Sequence, residues 1–146
     1  MLRGFEGILE LEDRPSKGIY LNKPGNYVVQ VDVCKYKDKS ENPQHKGAIF
    51  FIAETTLTSS TTEDYPVGSK VSIVKNLTKN AFEMRDAAQF MAAATGESSI
   101  DNVKDETFLS AVVGEEQLLS GKSVRVIVTP KDGYSEGFTV AEYSPV

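Results

Sequence analysis

The sequence holds a single cysteine, Cys34, and a single histidine, His45. One cysteine excludes an internal disulfide, and one Cys–His pair falls short of the three or four ligands that a zinc site takes. Cys34 lies in a β-rich run and reads as a small structural residue, while His45 reads as a solvated loop residue. Long apolar runs are missing too: Ala48–Ala53 and Val124–Val128 are far too short to span a bilayer. The stretch that opens the chain turns acidic within a few residues and lacks the apolar region of a secretory signal. A cytoplasmic protein is expected. Catalytic signatures are also lacking. Gly96, Gly114 and Gly121 are dispersed helix stops and turns rather than a phosphate loop, and neither G-x-S-x-G nor H-E-x-x-H occurs. The adjacent acids Asp105-Glu106 and Glu115-Glu116 read as a solvated face, because acid–base chemistry needs carboxylates in environments that set their pKa values apart. No catalytic residue, cofactor or metal is expected.

What is present is a chain of 146 residues, 40% hydrophobic and 25% charged, which fits one globular domain able to bury a core without a staple. The net charge of −5 is unevenly placed. Residues 1–16 carry −2, residues 17–96 carry +2, residues 97–116 carry −5, and residues 117–146 balance. A mildly basic body beside an acidic segment is compatible with a nucleic-acid face on one side.

Period-two alternation marks the first strand, Asn26–Cys34, with Tyr27, Val29, Val31 and Val33 on one face. A polar loop, 35–47, follows. The second strand is Ala48–Leu57, and a Ser/Thr-rich bend leads to the third, Lys70–Lys75. The period then changes. Asn80 with Glu83 three positions on is a capping-box pattern, and Ala81, Met84, Ala87, Ala88, Met91 and Ala94 follow at helical spacing, with Gly96 as the stop. A second, shorter helix is read at Asp105–Val113. Strands resume at Ser123–Thr129 and Phe138–Tyr143 around a turn at 130–137. Residues 1–17 read either as an arm or as an extra strand. The order β-β-β-α-β-β, with a helical insert over 76–120, is that of a five-stranded OB-type barrel, so a mainly β single domain of that fold is expected over residues 1–146.

In such a barrel the loops joining strands 1–2 and 4–5 are expected to rise together and frame a groove. The first carries Lys35, Tyr36, Lys37, Lys39 and Lys46; the second carries Lys131 and Tyr134. Lysines that track phosphates and aromatic faces that stack bases are what sequence-tolerant single-strand binding needs. Lysine-rich loops are equally what solubility needs, and only the topology favours the functional reading. Phe51 is in phase with Ile49 and Leu57 and reads as core, leaving Phe50 as a stacking candidate. Lys70, Lys75 and Arg125 alternate with valines and are expected to face outward. Phe82, Phe90 and Tyr20 are expected to pack.

Several segments together resemble a family of small bacteriophage proteins related to single-stranded DNA-binding proteins. They are Gly25-Asn-Tyr-Val-Val-Gln-Val-Asp-Val, Ile49-Phe-Phe-Ile-Ala-Glu-Thr-Thr-Leu, Pro66-Val-Gly-Ser-Lys-Val-Ser, Phe90-Met-Ala-Ala-Ala-Thr-Gly96, and Val124-Arg-Val with Phe138. The resemblance covers roughly residues 18–143 and is a pattern of strand, turn and helix residues. It implies an OB-like fold, a phage origin, and a part in DNA replication or recombination beside phage proteins of those processes. One departure is the ending Glu142-Tyr-Ser-Pro-Val146, where bacterial relatives of that class carry an acidic partner-recruiting tail. The expectation is a non-catalytic single-stranded DNA-binding protein, in the host cytoplasm if phage-encoded, with homo-oligomerisation left open. The alternative is an interaction or structural protein whose barrel binds a phage or host protein; a small-ligand barrel is a third.

Overall fold

A computed structural model describes residues 18–39, 41, 43, 47–97, 100–131 and 139–146. It is mainly β: strands β1 (Gly25–Lys39), β2 (Ala48–Ser60), β3 (Lys70–Asn76), β4 (Ser123–Pro130) and β5 (Thr139–Pro145) form one sheet in the order β3-β2-β1-β4-β5, every neighbouring pair antiparallel. Helix α1 (Ala81–Ala94), a short 3-10 helix (Asp101–Lys104) and helix α2 (Glu106–Val113) lie between β3 and β4. No helix among the described residues is long and apolar enough to cross a membrane.

β1 runs five residues further than its alternation suggested. The Lys35–Lys39 stretch, read as loop, is strand because it pairs residue by residue with the apolar run Ala48–Ile52 of β2. Tertiary pairing overrides the weak strand propensity of Lys and Asp. The same strand corrects a second expectation. The register with β2 slips between Val31 and Val33, so that Asp32 is an extra residue opposite no partner. A bulge of one residue flips every later side chain to the other face. Tyr27, Val29 and Val31 are buried before it, and Cys34, not Val33, is buried after it.

The main core lies between one face of the sheet and α1. Phe90 of α1 is wholly buried, its ring 6.2 Å from Phe51 and edge-on to Tyr143 at 5.4 Å. Asn80 caps α1 through its side chain, which accepts from the Glu83 amide at 3.0 Å. The reciprocal half of the capping box is not formed, and Glu83 Oε2 is buried without a partner among the described residues. The Phe82 expectation fails: this side chain is 76% exposed. Phe82 stands in the first turn of α1, whereas the buried residues of the helix, Ala87 and Phe90–Ala94, all lie in its later turns. Tyr20 is 41% exposed.

The sheet is not closed by hydrogen bonds. β3 and β5 are its two ends in the strand order, and the outer edge of β3 is taken by Ile19, which pairs with Val71 in parallel. Gly18 fits there because any Cβ would lie 2.5 Å from Ser72 Oγ. Across the seam the contact is through side chains. A cleft of about 200 Å³ opens between Tyr20, Ile73 and Val74 on one side and Ala141 and Tyr143 on the other. Lys75 Nζ lies 5.2 Å above the Tyr143 ring and 3.6 Å from Asp86 of α1.

Candidate nucleic-acid interface

The Asp32 bulge decides where the cations of β1 point. Continuous alternation from Tyr27 would have driven Lys35 and Lys37 into the core. After the slip, the core phase passes to Cys34 and Tyr36, and the lysines take the outer face. Directly opposed residues of an antiparallel pair share a face. The register sets Lys35 against Ile52 and Lys37 against Phe50. Lys35 is exposed and Lys37 half-buried. Lys39 holds the next position of that face, opposite Ala48; its side chain lies outside the described residues. The lysines therefore run beside a small apolar cluster of Ala48, Phe50 and Ile52, against which Val74 packs.

That cluster overturns one candidate. Phe50 is only 9% exposed, because the start of β2 is apolar on both faces and its outer face gathers a second core. Phe51, by contrast, belongs to the main core, as its phase indicated. Tyr36 is 53% exposed, yet it shares its face with Cys34 and pairs with Phe51. It therefore stands on the side of the hairpin opposite the lysines.

Lys70 and Arg125 face outward as expected. Lys70 lies 3.4 Å from Asp32 and donates to Thr56 Oγ1 at 2.8 Å, which ties it to the bulge. Arg125 sits opposite Val28 on β1 and Ser144 on β5. Lys75 does not face outward. It lies in phase with the buried Val71 and Ile73 at period two, so it turns inward to Tyr143 and Asp86. Burial disfavours its cation, but Tyr143 and the Asp86 and Glu83 carboxylates outweigh that and hold the amine above its ordinary range.

The strands that lead into the two turns leave β1 at opposite ends. β4 pairs with β1 from Ser123 opposite Gln30 to Val128 opposite Gly25. The turn after β4 thus leaves at the N-terminal end of β1, whereas the β1–β2 connection leaves at its C-terminal end. Antiparallel pairing on both flanks of β1 requires this separation. Lys131 is exposed just beyond β4; Lys46 and Tyr134 lie outside the described residues.

Beyond Gln30 the edge of β1 is occupied by the chain leading into β4. Val31 donates to the Lys122 carbonyl and accepts from Gly121, both at 2.8 Å. Gln117 then acts as a strand partner through its side chain. Its Oε1 accepts from the Cys34 amide at 2.7 Å, and its Nε2 donates to the Cys34 carbonyl at 2.9 Å and to Gly114 at 3.0 Å. Sequence reasoning missed Gln117, since a lone glutamine in a turn carries no signal of this kind. The Cys34 thiol is enclosed, and burial pushes it up to about 12, which makes it inert rather than nucleophilic. Among the described residues no three His, Cys, Asp or Glu side chains come together to hold a metal.

The class this defines is a mainly β protein on one antiparallel five-stranded sheet with two helices. No protein-family model and no curated protein matches the chain.

Proposed function

We propose that this chain is a non-catalytic single-stranded DNA-binding protein on an opened OB-type sheet, phage-encoded and acting in replication or recombination. The strand order β3-β2-β1-β4-β5 with helices between β3 and β4 is the OB order cut at the β3–β5 seam. The observation that carries the reading is the outward lysine row of β1 created by the Asp32 bulge. Side chains two residues apart on a strand are about 6.6 Å apart, a spacing that successive phosphates of an extended single strand can match. Tyr36 stands on the other side of the hairpin from this row and is not counted in it. The interface is thus the β1–β2 hairpin, with Arg125 and Lys70 adding charge on the outer face. Lys131 follows β4 where it exits at the other end of β1 and is not counted in this row.

Anisotropy of labelled oligo-dT at low salt tests the reading. Binding that weakens steeply as salt rises is expected, because neutralised phosphates release counterions. Lys35→Ala, at an exposed position of the row, is expected to weaken binding with unchanged thermal unfolding, whereas Tyr36→Ala, on the other side of the hairpin, is expected to leave affinity unchanged. Absence of low-salt binding refutes the reading. A second reading, an interaction protein that binds a phage or host protein, is favoured by the net charge of −5 and by the apolar groove on α1.

A further inference from the structure

The small apolar cluster on the outer face of the sheet is buried more deeply than the sheet alone explains. Val71 and Ile73 belong to the main core, so Ser72 and Val74 alternate onto the outer face, where the register sets them against Glu54 and Ile52 of β2. Ile52 is wholly buried there, and Ala48 and Phe50 nearly so. Among the described residues, Val74 is the one partly buried apolar side chain packed against this cluster. Lys35, opposite Ile52, is exposed. Sheet faces left to water are polar, and apolar residues enclosed this far need a layer laid over them.

The described chain begins on that same face. The Gly18 amide donates to Ser72 Oγ at 2.9 Å, and the Ser72 hydroxyl donates to Glu54 at 2.7 Å. Ser72 Oγ and the Glu54 carboxylate both stand on the outer side, so the segment preceding Gly18 joins the sheet from there. Residues 1–17 lie outside the described residues. From Glu54 to Phe50 is about 14 Å along β2, and residues 14–17 fully extended span about the same. The nine residues before them therefore have the length to overlie the cluster. Their chemistry matches it. Phe5-Glu-Gly-Ile-Leu-Glu-Leu-Glu-Asp13 carries four carboxylates, four large apolar side chains and no base. The face opposite is apolar and edged by Lys35 and Lys37, whose stems lie along apolar surface while the amines stay free to meet an acid.

We infer that the segment Phe5–Asp13 of this same chain docks on the outer face, with Leu9 and Leu11 on Phe50 and Ile52 and the carboxylates beside Lys35 and Lys37. The docking stands apart from nucleic-acid binding. It has a consequence that rests on the single-strand reading proposed above: segment and DNA take the same lysines, so each excludes the other.

The test uses the full chain carrying a nitroxide at Arg3→Cys. Cys34 stays unlabelled in the native protein because its thiol is buried. The label is expected to broaden the methyl signals of Ile52 and Val74 and to spare those of Leu109 on α2. Leu9→Ser/Leu11→Ser should abolish the broadening and leave far-UV circular dichroism unchanged. A segment docked nine-tenths of the time lowers apparent affinity about tenfold. The two serines, in the unlabelled chain, should therefore tighten oligo-dT binding by about that factor. Absence of broadening at Ile52 and Val74, or broadening that the serines leave in place, overturns the inference. So does broadening that passes from nitroxide-labelled chains to isotope-enriched, nitroxide-free ones, which assigns the contact to a second copy. Docking with an oligo-dT affinity that the serines do not move overturns the competition. Docking with no oligo-dT binding in either form removes the single-strand reading and upholds the docking.

Discussion

Gln117→Ala removes the side chain that pairs with the backbone of Cys34, and its cost can be worked from three bonds. The Cys34 amide and carbonyl lose partners at 2.7 and 2.9 Å, and the Gly114 carbonyl loses one at 3.0 Å. A buried polar group left without a partner costs about 1–3 kcal/mol. The site is only part-buried, so water recovers some of that, and a total of about 2–3 kcal/mol is expected. Gln117 also has φ of 47°, a left-handed conformation that costs a residue with a Cβ about 1 kcal/mol. Gln117→Gly loses the same three bonds but sheds that strain. It should therefore be roughly 0.5–1 kcal/mol less destabilised than Gln117→Ala. Urea unfolding gives both values if the slope stays constant. An alanine variant within about 0.5 kcal/mol of the parent, or a glycine variant no better than alanine, refutes the reasoning.

Phe90→Ala should cost about 3–5 kcal/mol, since Phe90 is wholly enclosed between Phe51 and Tyr143; a urea midpoint close to the parent's contradicts that packing. Cys34 should resist a thiol reagent at neutral pH and react only on unfolding, because burial holds it up to about 12; rapid labelling of the native protein contradicts this. Stability should fall as the solution is made alkaline. The neutral thiol and the neutral Tyr143 phenol are favoured by the fold, each raised by burial. Their contributions are whole below the ordinary values and decline once the unfolded groups ionise, from about pH 9 upward. Lys75, also raised, adds stability that is present below its unfolded value and is lost as pH rises through the folded one. Urea midpoints that rise between about pH 8 and pH 11 contradict the assignment.

The strands and the long helix were legible because each carries a period that its burial follows. Val124, Val126 and Val128 are buried and Arg125 exposed, as alternation dictates. What alternation could not reveal is a slip. Nothing at Asp32 marks a bulge, and the slip decides that Cys34 is core and that the lysines face out. Lys75 was misplaced for a different reason. Its charge suggested solvent, but its phase with Val71 and Ile73 prevailed because Asp86 and Tyr143 receive the amine. The relation of the two loops depended on strand direction. Antiparallel pairing of β1 with both β2 and β4 sends the connections to opposite ends, a consequence of topology that no local pattern displays. On α1 the apolar stripe was wider than the core could use, and Met84 was left outside.

The measurement that bears most directly on the proposed interface is the salt dependence of oligo-dT affinity for the parent and for Lys35→Ala/Lys37→Ala. Each lysine that meets a phosphate of a single strand contributes about 0.7 to the log–log slope. The double variant should bind more weakly with a slope shallower by about 1.4, and Lys131→Ala should leave the slope unchanged. Equal slopes for the parent and the double variant would contradict the account.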